Sequence, residues 1–177
     1  MEERNDEFYI REAMRLAKMA EEIDEVPVGA LAVRDGEIIA TAFNTRESSK
    51  CATHHAEILA IERACAALGG WRLIGCDLYV TLEPCPMCAG AIVNARIPRV
   101  VYGTKDASGG AFDSVLNLRS YPLCSKPKVV SGVMAEECAA LLRAFFEEKR
   151  KKTNFLFCEC IIICNFGHYI LCNDKPV

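Results

Sequence analysis

The sequence predicts an α/β domain, a mixed β-sheet with helices packed on its faces. Three observations predict it. Stretches with apolar residues at helical spacing alternate with short β-rich runs from residue 6 to residue 152. Breaker and turn residues separate them, notably Pro27, Asp35-Gly36 and Gly69-Gly70. The composition is globular, with 51% hydrophobic and 25% charged residues, and 177 residues suffice for one domain with its own core.

Residues 6–24 form the first helix, because Phe8, Ile10, Ala13, Met14, Leu16, Ala17, Ala20 and Ile23 recur at helical spacing among charges. Pro27 breaks that pattern. Residues 28–33 and 37–43 are strands joined by Arg34-Asp35-Gly36, where Asp-Gly signals a hairpin. Residues 45–53 are polar and turn-like. A second helix runs from His55 to Leu68 and stops at Gly69-Gly70. Residues 77–82 are a strand, 86–95 a helix of small and apolar residues, and 99–102 another strand. A loop with Gly and Ser, 103–114, follows. Residues 128–131 make a fifth strand and 135–152 a last helix that ends in the basic run 149–152. No internal repeat is visible.

Net charge is −3 and the pI about 5.7. Binding of nucleic acid through a broadly basic surface is therefore not expected, and any such contact must be local. The N-terminus is charged from its second residue and shows no secretory apolar segment, so the expected compartment is the reducing cytoplasm. There, 11 cysteines argue for metal or catalytic thiols over disulfides. Cys51, Cys65, Cys76, Cys124 and Cys138 stand among apolar neighbours and read as small core residues.

Residues 153–177 form a second segment, an apolar, cysteine-rich tail. The run 155–171 follows basic residues as a membrane anchor would. It falls short of the ~20 residues a span needs, and Glu159, Asn165 and His168 are costly in a bilayer, so a membrane partner is not expected. Cys164, His168 and Cys172 share a helical face, but their spacing matches no common zinc pattern. The segment reads as an appended tail.

The stretch TLEPCPMCAG, residues 81–90, carries Cys85 and Cys88 three apart at a helix start. An i, i+3 pair lies on one face, and the helix dipole favours thiolates there. A disulfide, a redox pair, a metal site and plain packing all remain open for two such thiols. The chain has three histidines, and His55 stands with Glu57 in an H-x-E pattern at another helix start. His55, Cys85 and Cys88 are candidate zinc ligands from two helix N-termini, three being the number that leaves a catalytic site one open position. Glu57 is the candidate catalytic group, able to move a proton on an activated water without binding the metal.

His55-Ala56-Glu57 followed by Pro84-Cys85-Pro86-Met87-Cys88 resembles the signature of the zinc-dependent cytidine/deoxycytidylate deaminase superfamily. The flanks look like its bacterial tRNA adenosine deaminase branch: residues 25–30, Asn44, 53–58, 78–90, 96–97, 99–103 and 137–142. The resemblance covers residues 6–152 and leaves the tail unmatched. It implies a three-layer α/β/α deaminase fold around a five-stranded sheet, one zinc per subunit and a homodimer. It also implies hydrolytic deamination of the wobble adenosine of a tRNA anticodon to inosine. His55, Cys85 and Cys88 would hold zinc and Glu57 would shuttle protons. Asn44 would hydrogen-bond the base, the Ala56 N–H would face its reacting edge, and Val28 and Pro27 would form an apolar wall. Phe145, Phe146, Lys149 and Arg150 would meet the anticodon arm.

Departures from the branch are local. Phe112 and Asp113 stand where small residues are usual, Ser108 replaces a lysine, and Glu147-Glu148 replace basic residues. Two competing functions remain at this level: deamination of a free base or nucleoside such as guanine or cytosine, and a non-catalytic zinc-stabilised interaction domain. A structural site usually takes four protein ligands and has no use for an uncoordinated carboxylate, so Glu57 argues against the second.

Overall fold

The computed structural model describes residues 4–153. Helix α1 spans Asp6–Glu22. The Asn5 side chain caps it by accepting from the Phe8 N–H, and Asp6 and Glu7 in the first turn suit the positive end of its dipole. Strands β1 (Gly29–Arg34) and β2 (Glu37–Phe43) form the expected hairpin. Asp35 and Gly36 both take positive φ, 52° and 77°, as a type I′ turn demands. Helix α2 (Ala56–Leu68) ends at Gly69, β3 spans Cys76–Leu82, and α3 spans Pro86–Asn94. Strand β4 (Arg99–Thr104), β5 (Lys128–Ser131) and α4 (Ala135–Thr153) complete the domain. A 3-10 turn at Leu118–Ser120 went unforeseen, because three residues carry no periodicity.

The sheet is five-stranded and mixed, in the order β2-β1-β3-β4-β5. β1 pairs antiparallel with β2 and β3, while β3, β4 and β5 are parallel. Alternation along the strands sorts the two faces. Leu31, Val33, Tyr79 and Val101 meet Tyr9, Ile10 and Ala13 of α1 on one side. Ala30, Ala32, Leu78, Val80, Val100 and Tyr102 meet Ala60, Ala64, Ala89 and Ile92 of α2 and α3 on the other. The result is the three-layer α/β/α arrangement.

The cysteine reading needs correction. Cys76 and Cys138 are buried, but Cys51 and Cys65 are half-buried and Cys124 is exposed. Cys65 still packs against the core from the edge of the buried face of α2, whereas Cys51 and Cys124 stand in connecting segments that no element covers. Among the described residues no helix is long and apolar enough to cross a membrane. The readings of the tail lie outside the described residues.

Candidate active site

Parallel strands direct ligands to their carboxyl ends. Beyond the end of β3 the chain runs Glu83-Pro84-Cys85 into α3. Cys85 is the N-cap of α3 with Pro86 at its first position, where a missing N–H costs nothing. His55 is the N-cap of α2. Neither side chain caps its own helix. They turn to each other instead: the Cys85 and Cys88 sulfurs each lie 3.7 Å from Nδ1 of His55. Ligand atoms of all three lie within 4.8 Å of one another, an arrangement that could hold a metal ion.

The site is electrostatically tense. The hydrogen bond from Cys88 holds the Cys85 thiol down to about 4, against the opposing effect of burial. The same hydrogen bond, with burial, pushes Cys88 up, so Cys85 loses its proton first. His55 is raised by its hydrogen bond with Cys85. Glu57, 4% exposed, sits in the first turn of α2, and burial pushes its carboxyl up to about 7.

A cavity of about 290 Å³ opens beside these groups. His55, Ala56, Glu57 and Cys85 line it, as do Val28 and Asn44, so the structure brings these predicted residues together. Cys88 is fully buried next to them. Pro27 is buried but does not line the cavity, whereas Val26 and Val28 do. The Val28 N–H donates to the Val26 carbonyl at 2.8 Å, a tight turn with Pro27 at its apex. The C-terminal residues also divide. Phe146 lines the cavity, while Phe145 is 6% exposed because it follows Cys138 and Leu142 on the buried face of α4. Lys149 pairs with Asp24 at 2.5 Å and lies 5.4 Å from the Phe145 ring centroid. Arg150 lies one residue further along α4.

Two buried carboxylates escaped the sequence reading. Glu83 is 2% exposed. It accepts from the N–H groups of Asp106, Phe112, Asp113 and Ser114 and from the Ser114 hydroxyl. Burial opposes its charge, but these hydrogen bonds prevail and hold it below the usual carboxylate range. The loop after β4 thereby folds onto the cavity, where Asp106 and Ser108 line the wall. Gly110 is required there, since a Cβ would lie 2.3 Å from the Glu83 carboxyl carbon. The unusual Phe112 is fully buried, and Asp113 accepts from the Tyr102 hydroxyl and from Arg119, so both departures serve this loop. Glu25, wholly buried, accepts from Asn44 and from the Ser48 N–H. For Glu83 the available signal was a lone acid between Leu82 and Pro84; Glu25 follows Asp24 just past the end of a charged helix and carried no such signal.

The family model of MafB19-like deaminases matches residues 4–150. A tRNA-specific adenosine deaminase of Bacillus subtilis (strain 168) is 53% identical over 148 residues, 83% of this chain and 92% of the relative. A solved tRNA:A34 deaminase, studied for A-to-I editing at the wobble position of transfer RNA, superposes with a TM-score of 0.75 at 47% identity, covering 76% of this chain and 99% of that one. Guanine deaminase from Bacillus subtilis is more distant, with a TM-score of 0.56 at 33% identity, covering 68% of this chain and 87% of that one.

Proposed function

The chain belongs to the deaminase family that includes the tRNA-specific adenosine deaminases, and on that premise we propose that it hydrolyses the wobble adenosine of a tRNA anticodon to inosine. The observation that carries this reading is the His55, Cys85 and Cys88 cluster with buried Glu57 at the wall of one cavity.

His55, Cys85 and Cys88 would hold the metal, and one imidazole with two thiolates is a donor set that suits zinc. A tetrahedral zinc with bonds of about 2.05 Å to nitrogen and about 2.3 Å to sulfur sets those ligand atoms about 3.6 Å apart. The 3.7 Å separations between the two sulfurs and Nδ1 of His55 fit that ion without rearrangement. When bound, zinc supplies Lewis-acid activation of a water at neutral pH.

The chain's own residues do the rest. Glu57 takes one proton from the attacking water as its oxygen bonds to C6 of adenine and passes it to the ring nitrogen beside C6; it then carries that water's second proton to the departing amine. The C6–N6 bond breaks, ammonia leaves and inosine remains. Asn44 hydrogen-bonds the base, and the Ala56 N–H, in the first turn of α2 where intrahelical partners are lacking, faces its reacting edge. Val28 supplies apolar wall, together with Leu142 and Phe146. An anticodon loop presents its base unpaired, so little unstacking is needed to fill this cavity.

Phe146, Lys149 and Arg150 lie toward the anticodon arm in this reading. A homodimer and a cytoplasmic location belong to the same proposal and rest on the family resemblance. Residues 1–152 form the deaminase domain, with the tail appended.

The test pairs measured zinc content with turnover of an anticodon arm carrying a wobble adenosine, beside guanine, cytosine, cytidine and free adenosine. Inosine formed in the RNA alone is the expected result. Turnover of a free base or nucleoside with no inosine in RNA would overturn the substrate.

A further inference from the structure

Asn44 faces the cavity from the end of β2, and its backbone is fixed by the N–H bond to the Val28 carbonyl at 3.0 Å. Its side chain is an amide, whose two ends have opposite hydrogen-bonding character. Which end meets the cavity decides what the site can read. Glu25 settles that question. Its carboxylate is wholly buried, and Oε2 accepts from Nδ2 of Asn44 at 3.0 Å. Its other oxygen, Oε1, accepts from the Ser48 N–H at 2.6 Å, which pins the turn after β2. Burial opposes the charge on Glu25, but hydrogen bonds from the Ser48 and Glu47 backbone prevail and hold the group below the usual carboxylate range. An ionised carboxylate accepts and cannot donate. The amide nitrogen must therefore face Glu25, and a flipped amide would set two oxygens against each other. Among the described residues Oδ1 of Asn44 has no hydrogen-bond partner.

We infer that Glu25 is a positioning residue for base recognition: it locks the Asn44 amide so that Oδ1, an acceptor, and one remaining N–H are what the site presents to a purine edge. The inference rests on the base-binding role proposed for Asn44. Glu25 borders the cavity, but its two oxygens are engaged by Asn44 and Ser48, so it acts through Asn44. Glutamine at this position keeps the size but can donate as well as accept, so the lock is lost.

Two measurements test this. The first is the double-mutant cycle of Glu25→Gln and Asn44→Ala, read as kcat/KM on whichever substrate the wild type turns over. Glu25→Gln alone should lower kcat/KM by roughly 10- to 100-fold, the loss expected from one charge-assisted hydrogen bond. In the Asn44→Ala background it should change by less than about twofold, because the group it positions is gone. Equal losses in both backgrounds would overturn the inference and leave Glu25 a general stabiliser. The second measurement needs no turnover. The Asn44 side-chain amide pair, identified by its absence in Asn44→Ala, should shift and exchange faster in Glu25→Gln while those of Asn94 and Asn117 stay in place. An unmoved pair would overturn the lock. Should Glu25→Gln fold poorly, Glu25→Asp keeps the charge on a shorter arm and should give an intermediate shift; a wild-type spectrum there would equally refute it. A wild type that makes no inosine in RNA would refute the substrate reading, and the amide spectrum would still decide the lock.

Discussion

Gly110→Ala is the most severe single-methyl test of the loop that closes the cavity. The added Cβ would lie 2.3 Å from the Glu83 carboxyl carbon, and 2.3 and 2.5 Å from its two oxygens. A carboxyl end normally swings aside cheaply. This one is held by four N–H groups and one hydroxyl, so moving it breaks bonds to a buried charge. Overpacking costs about 1–3 kcal/mol and each lost hydrogen bond to a charged group about 1.5–3 kcal/mol. With one such bond lost, the substitution should destabilise by about 3–5 kcal/mol, or roughly 6–20 °C in Tm for a chain of this size. Thermal unfolding of the zinc-loaded protein measures this, with Gly90→Ala as the control. Gly90 lies inside α3 with no atom within 4 Å of its would-be Cβ, so alanine there should stabilise by up to about 1 kcal/mol. The KM for the anticodon arm should also rise in Gly110→Ala, since Asp106 and Ser108 move with the loop. Equal Tm values for Gly110→Ala and wild type would refute the view that Glu83 holds this loop rigidly.

Three further outcomes are expected. Glu57→Gln should retain bound zinc and lose at least about 10³-fold in turnover, checked by metal analysis beside single-turnover kinetics; loss of the metal would make Glu57 a ligand instead. Cys88→Ser should lose both metal and activity, and a fully active, metal-depleted variant would sink the site assignment. Acid should loosen the 45–51 turn. The folded state lowers the Glu25 pKa, so its carboxylate contributes stability above the ordinary carboxylate value, and that contribution is lost as pH falls through the folded value. Protection of the Ser48 amide, measured relative to intrinsic exchange at each pH, should fall over that acid range and stay level above the ordinary carboxylate value.

The helices and strands were legible because each carries its own periodicity and breakers. The clustering of His55, Cys85 and Cys88 beside Glu57 was legible because His55-x-Glu57 and Cys85-x-x-Cys88 are local patterns with chemical meaning. Glu25 and Glu83 were not, because a carboxylate reveals its role only through donors 19 to 31 residues away, which no local pattern encodes. Phe145 and Phe146 show the opposite lesson. Helical phase with Cys138 and Leu142 already assigns Phe145 to the buried face, so a pairing read from adjacency was resolvable from spacing alone. Pro27 depended on a two-residue turn whose closing hydrogen bond the sequence does not announce.

The proposed metal ligands His55 and Cys85 are separated by thirty residues of chain, and β3 lies between them. They meet once β3 has paired with β1, a non-local pairing that sets Ala30 against Val80. The ion therefore has nowhere to bind until the slow, non-local part of folding is finished. Such a ligand acts on the finished state and not on the barrier that precedes it. A chelator should thus leave the refolding rate of this domain nearly unchanged while accelerating its unfolding, so that the metal governs how long the enzyme lasts and not how quickly it forms.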